Sequence, residues 1–181
     1  MIEIIAVIFS LISVWLTTRN NILCWPTGII GIIFYFLIFY QDRNWSNVIL
    51  QLLFILQSIV GWLHWKYLPK KDITQLSIKN NINSINITFL LIIFFFTVNN
   101  IFKGNLSLID STTTSLSIMG MVLLSYRKIE SWIFWMIADV FYIFMFIESG
   151  RYLSSFIYLI FLIMSFFFFF SWKQKIQKSI Q

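Results

Sequence analysis

Seven apolar segments of roughly bilayer length follow one another along the chain, and this succession limits the fold more than any single motif does. A bilayer core about 30 Å thick is crossed by about 20 apolar residues in an α-helix. The segments run over residues 2–18, 24–41, 46–65, 85–102, 110–126, 131–148 and 152–172. Lipid offers no partner to a backbone N–H or C=O, so each segment is expected to be helical. Of the 181 residues 59% are hydrophobic and only 11% charged, too little polar surface to cover a water-soluble globule. The expected class is therefore an all-α integral membrane protein with seven transmembrane helices. Its N-terminus carries Glu3 and no basic stretch, which reads as a first spanning helix rather than a cleaved signal peptide.

Short polar gaps separate the segments: Arg19-Asn20-Asn21, Gln41 to Asn44, Lys103 to Asn105, Tyr126 to Lys128 and Glu148 to Arg151. One connection, from Lys66 to Ser84, is longer and ends in an Asn-rich run. With the N-terminus outside, the inner gaps hold Arg19, Lys66, Lys70, Lys71, Lys79, Arg127, Lys128, Lys173, Lys175 and Lys178. The outer gaps hold only Arg43, Lys103 and Arg151. This bias predicts an outside N-terminus and a cytoplasmic C-terminus. The net charge of +6 follows the gaps and forms no patch with interleaved polar contacts, so no nucleic-acid partner is expected. Trp15, Trp25, Trp45, Trp65 and Trp172 lie near segment ends, where interfacial anchoring is the default.

Displaced by 107 residues, the sequence aligns 3–66 with 110–173 without a gap. Glu3 falls on Asp110, Ser10 on Ser117, Trp25 on Trp132, Phe34-Tyr35 on Phe141-Tyr142, Ser58 on Ser165 and Trp65-Lys66 on Trp172-Lys173. The expected organisation is a 3+1+3 parallel repeat. A first three-helix repeat spans 1–66, and a cytoplasmic loop with a connector helix (85–102) spans 67–109. The second repeat spans 110–173 and a cytoplasmic tail 174–181. Transporters built of such repeats place substrate between them, near the midplane.

In the stretch SWIFWMIADVFY (131–142), Trp132, Trp135, Asp139 and Tyr142 share one helical face. Asp139 lies 11 residues from both Lys128 and Gly150, near the middle of a spanning helix, where a carboxylate is costly. Either a buried donor pairs with it or it meets a cationic substrate or solvent in a cavity. No Lys, Arg or His lies at membrane depth elsewhere, which favours the second. At minus 107, Trp135 pairs with Gly28 and Asp139 with Ile32, so both are additions to the second repeat. Asn47, Gln51, Phe54, Ser58 and Trp65 form a stripe repeated as Ser154, Tyr158, Phe161, Ser165 and Trp172. Such a stripe either lines a lumen or bonds helix to helix. Gln57 points ~120° away from Gln51, so one of the two serves packing. Gly28 and Gly31 allow close helix approach or pivoting.

No P-loop, nucleophile elbow, dinucleotide fingerprint or metal-ligand cluster is present, and the lone Cys24 permits no internal disulfide. No enzymatic role and no cofactor are expected. The runs RNNILCWPTGIIG (19–31), LQLLFILQSIVGWLHW (50–65), SWIFWMIADV (131–140) and YLSSFIYLIFLI (152–163) resemble the PnuC family of vitamin-precursor transporters. The Trp132-x-x-Trp135 pair followed by Asp139 is the most specific piece, then Trp25-Pro26, then Gln51 with Gly61-Trp62-x-x-Trp65. Two departures stand out: Ser131 where the family pattern has Asn, and FFFFFSW closing the seventh segment in place of a Gly-Trp.

The resemblance implies a full-length SWEET-like fold in a bacterial inner membrane, usually as a homotrimer. It implies import of nicotinamide riboside by facilitated diffusion, with retention by a cytoplasmic kinase. Thiamine or another vitamin is the alternative within the family; a non-transporting ligand-binding subunit or scaffold is the alternative outside it. Trp132, Trp135 and Asp139, with Gln51, Asn47, Tyr158, Gln57 and Trp25, are the candidate substrate-binding residues. An aromatic cation suits them, because Trp faces attract such cations and Asp139 supplies a counter-charge.

Overall fold

The computed structural model describes residues 2–41, 45–67, 72–101, 108–148 and 150–180, and all their regular structure is helical. The helices are α1 (Ile2–Thr18), α2 (Cys24–Gln41), α3 (Trp45–Tyr67), α4 (Ile78–Ile101), α5 (Leu108–Ser125), α6 (Ser131–Glu148) and α7 (Tyr152–Ile180). Six are long and apolar enough to cross a membrane, and α1, at 17 residues, is a shorter apolar helix.

Two helices are longer than hydropathy alone suggests. Helix α4 starts at Ile78 rather than at 85, because the Ser77 hydroxyl accepts the Asn80 N–H at 3.3 Å and caps the Asn-rich run. Helix α7 continues past Trp172 through Lys173, Lys175 and Lys178 to Ile180. At 29 residues it is ~43 Å long.

Three helices end in the same way. Asn20 and Arg127 both have φ 53°, and Gly150 has φ 70°. The N–H after each returns to the carbonyl five residues back: Asn21 to Leu16 at 3.1 Å, Lys128 to Leu123 at 3.0 Å and Arg151 to Phe146 at 2.8 Å. Asn20, Arg127 and Gly150 themselves donate to Thr17, Leu124 and Ile147. These paired bonds satisfy carbonyls that a helix end leaves without partners, and they turn the chain within a few residues. After the first turn, Asn21 Oδ1 accepts the Leu23 N–H at 3.0 Å, and Pro26 sits in the opening turn of α2, where its missing N–H costs little.

The chain forms two compact units, Met1–Lys71 and Asp72–Gln181. In the first, α2 packs against both α1 and α3. Gly28 and Gly31 bring α2 close to α1, since a Cβ on either would come 2.9 Å from Ser13 Oγ or Ser10 Oγ. Ser13 ties the two helices by donating to the Cys24 carbonyl at 2.7 Å. Trp25 is 3% exposed and meets Trp65 edge-on, with centroids 5.5 Å apart and planes at 88°. Its six-membered ring lies over Gly61 of α3 so closely that a Cβ there would overlap it.

In the second unit, α6 packs against both α5 and α7, and α4 packs against α5. The same Trp pair recurs: Trp132 meets Trp172 at 5.4 Å and 84°. Phe168 now occupies the position that Gly61 holds in the first unit, and its ring packs edge-on against Trp132 at 5.3 Å. Trp25, Trp65 and Trp172 are therefore core residues rather than interfacial anchors, whereas Trp15 is exposed beneath the Arg19 guanidinium, 4.4 Å from its ring. Helix α5 carries the most polar apolar-length sequence, STTTSLS at 111–117, and is the most buried, because α4 and α6 cover its two sides.

The polar segment before α4 is joined to the α5–α6 turn. Thr74 N–H donates to Arg127 O at 3.2 Å, and Ile129 N–H donates to Thr74 O at 3.1 Å. Lys128 Nζ reaches Thr74 Oγ1 at 2.8 Å, and Glu130 Oε1 accepts the Leu76 N–H at 2.8 Å. Residues 72–77 thus belong to the second unit together with α4.

The Trp25–Gly61 contact predicts that Gly61→Ala destabilises the protein by about 1–3 kcal/mol, the usual range for overpacking. Gly28→Ala, which meets only the Ser13 side chain, should cost less. Thermal unfolding of both variants in detergent checks this order, and equal melting temperatures would contradict it.

Candidate functional site

Helix α6 presents Trp132, Trp135, Asp139 and Tyr142 along one face, as the spacing requires. Their surroundings divide them into two groups. Trp132 is 2% exposed, enclosed with Phe168 and Trp172, and its Nε1 has no hydrogen-bond partner. It holds α6 to α7. Trp135 is only half-buried and lies against Gly120 of α5, where a Cβ would come 3.1 Å from its Nε1.

Asp139 is 3% exposed. The Ser165 hydroxyl of α7 bonds to its carboxylate, while Oδ2 is buried without a partner. Within α5, α6 and residues 152–172 of α7 the sequence contains no Lys, Arg or His. An ionised carboxylate buried with a single hydroxyl costs several kcal/mol unless a counter-charge joins it. Its neighbour at −1, Ala138, is fully buried at the tight α5–α6 contact, at the position that Gly31 holds in the first unit.

One turn beyond Asp139, Tyr142 lies beside the hydroxyls of Ser117 and Thr113 on α5. Its ring meets Tyr158 of α7 with centroids 4.5 Å apart, and Tyr158 stacks on Phe146 at 5.3 Å. The second unit thus gathers Trp135, Asp139, Tyr142 and Tyr158 with Ser117, Thr113 and Ser165 into one polar and aromatic set from α5, α6 and α7. In the first unit, Gln51 is buried and Gln57 half-buried on α3, and Trp25 is packed on Trp65. The side chain of Asn47 lies outside the described residues. Sequence periodicity did not single out Thr113 or Gly120. The signal for both was available in α5, where six of the seven residues at 111–117 are Ser or Thr and a glycine follows three positions later.

Among the described residues no group of His, Cys, Asp and Glu could hold a metal ion. A buried acid, a half-buried indole and several hydroxyls thus lie together on helices long enough to cross a bilayer, in a membrane protein. A profile of the family described as nicotinamide mononucleotide transporter matches residues 1–174. The chain belongs to that family, which consists of membrane transporters and not enzymes. The nicotinamide riboside transporter PnuC of Escherichia coli (strain K12) is 23% identical over 189 residues, covering 88% of this chain and 79% of that protein. Its counterpart in Shigella flexneri matches to the same extent. A crystal structure of the vitamin B3 transporter PnuC superimposes with a TM-score of 0.83 over 98% of this chain and 82% of that one, at 17% identity. That likeness establishes the fold.

Among the described residues, Ser165 supplies the side-chain hydrogen bond to this carboxylate. Ser165→Ala is expected to lower stability by about 1–3 kcal/mol, the cost of leaving a buried polar group without its partner. Ser58→Ala, at the matching position of the unit that carries Ile32 instead of an acid, is the control, and melting curves of the two variants decide.

Proposed function

We propose that the chain carries nicotinamide riboside across a bacterial inner membrane by facilitated diffusion, with phosphorylation by a cytoplasmic kinase retaining the product. The observation that carries this reading is Asp139, a buried carboxylate with an unpartnered oxygen, on the same face of α6 as the half-exposed Trp135. Nicotinamide riboside has a fixed positive charge on an aromatic ring. An indole face attracts such a cation by ~2 kcal/mol or more when water is excluded, and the carboxylate neutralises it. The hydroxyls of Ser117, Thr113, Tyr142 and Tyr158 suit ribose. The family membership and the curated riboside transporters support the same substrate.

The riboside is preferred to the mononucleotide on charge. All 13 Lys and Arg residues lie outside or at the ends of the apolar segments, so a phosphate at membrane depth would meet no cationic clamp. It would instead meet Asp139. Thiamine also carries a cationic ring and is the second reading; the same Trp135–Asp139 pair favours it over the uncharged riboflavin.

The 3+1+3 repeat belongs to this proposal. Six backbone hydrogen bonds around the α1–α2 turn recur around the α5–α6 turn at an offset of 107, from Arg19–Leu16 with Tyr126–Leu123 to Thr27–Leu23 with Phe134–Glu130. The repeat brings with it alternating access, one triplet moving against the other. An outside N-terminus, a cytoplasmic C-terminus and a homotrimer complete the reading.

In proteoliposomes without a kinase, purified protein should equilibrate radiolabelled nicotinamide riboside and not concentrate it; accumulation against a gradient refutes facilitated diffusion. Binding without flux would favour a ligand-binding subunit. Asp139→Asn should fold and lose affinity for nicotinamide riboside and thiamine by about thirtyfold, the equivalent of ~2 kcal/mol. A thermal-shift panel with riboflavin as the uncharged comparison reads this directly, and an unchanged affinity removes Asp139 from the site.

A further inference from the structure

The two units pack one pair of positions in opposite ways. In the first, Ser13 on α1 faces Gly28 on α2, and a Cβ on Gly28 would lie 2.9 Å from the Ser13 hydroxyl oxygen. That hydroxyl donates across to the Cys24 carbonyl at 2.7 Å. In the second unit the positions 107 residues later are Gly120 on α5 and Trp135 on α6. The glycine now stands on α5 and the large residue on α6, the helix that carries Asp139. A Cβ on Gly120 would lie 3.1, 3.2 and 3.3 Å from Nε1, Cε2 and Cδ1 of Trp135. All three atoms belong to the pyrrole ring of the indole, so this ring rests directly on the Gly120 backbone.

Helix packing alone does not call for this exchange. The Ser13–Gly28 arrangement brings the helices together and supplies an interhelical hydrogen bond as well. With glycine at 120 that bond is lost, because no hydroxyl remains to donate. What is gained is a seat for a side chain that has three ring atoms against the glycine and is itself only half-buried. An indole so supported keeps one orientation, in register with Asp139 one helical turn away.

We propose that Gly120 is a positioning residue for substrate recognition: it seats the Trp135 indole so that the ring and Asp139 together accept an aromatic cation. This rests on the proposed function, and it makes Gly120 part of the specificity of that site without contact to the substrate. A methyl group at 120 would push the indole by a few tenths of an ångström and tilt its face. The three atoms nearest to such a methyl group all belong to the indole.

The test is a double-mutant cycle on the full-length protein, with nicotinamide riboside as the probe and both affinity and maximal flux as readouts. Gly120→Ala should weaken affinity by about tenfold (~1.4 kcal/mol) with maximal flux retained. In a Trp135→Ala background the same substitution should have no further effect on affinity. An unchanged affinity for Gly120→Ala overturns the inference, as does an equal loss in both backgrounds, since the residue would then act through general packing. Trp135→Ala binding as tightly as the parent would instead remove Trp135 from the site and overturn the underlying functional reading along with the inference. Where Gly120→Ala alone does not fold, Gly120→Ala/Trp135→Ala is expected to fold, because the indole is what the methyl group strikes; a double variant that also fails overturns the proposal.

Discussion

The structure depends first on the absence of water from the space it occupies. Every backbone N–H and C=O within a bilayer must be bonded by the chain itself, and the α-helix does this locally. The difficulty moves to the helix ends, where carbonyls are left over. Here the chain closes them with left-handed residues at Asn20, Arg127 and Gly150, each followed by a hydrogen bond reaching back into the last turn. Arg127 is an unusual residue for that conformation. It is held there because Thr74 accepts the Ile129 N–H and donates its own N–H to the Arg127 carbonyl, fixing the turn from outside.

Once the helices exist, what brings them together is contact rather than hydrophobicity, because lipid tails are as apolar as the side chains. The two edge-on Trp pairs give α2–α3 and α6–α7 the same contact at nearly the same distance and angle. Around this shared frame the units diverge by exchanging small and large residues. Gly61 gives Trp25 a flat floor, whereas Phe168 meets Trp132 with a ring edge. Ile32 becomes Asp139, facing the Ser165 hydroxyl. The polar chemistry is thereby concentrated in the second unit, on a frame that the first unit builds without it.

The helices themselves were legible in the sequence to within a few residues, because hydropathy and bilayer thickness constrain each other. The misjudged boundaries are those where a cap or a helical extension lies outside the apolar run, as at Ser77 and beyond Trp172. The role of the tryptophans was legible only in part. Proximity to a segment end suggested anchoring in the interface, but three of the five close against another aromatic ring inside the bundle, a choice that depends on whether a partner stands opposite. Asp139 stood out by its depth alone, and Trp135 because the position 107 residues earlier is Gly28. Gly120 was not, since a glycine in an apolar helix has many reasons to be there, and only the position of the indole selects one.

The sequence by itself determined that this chain is a helical membrane protein, which residues turn it, and that an acid and two indoles share one face of the sixth helix. These follow from one-dimensional properties: segment length, charge placement and a 3.6-residue period. Tertiary structure decided which member of that face is framework and which is free. Trp132 and Trp135 are three residues apart and chemically identical, yet one is enclosed by Phe168 and Trp172 while the other lies against Gly120 and is only half-buried. That difference comes from what the neighbouring helices bring to each position, and no property of α6 alone contains it.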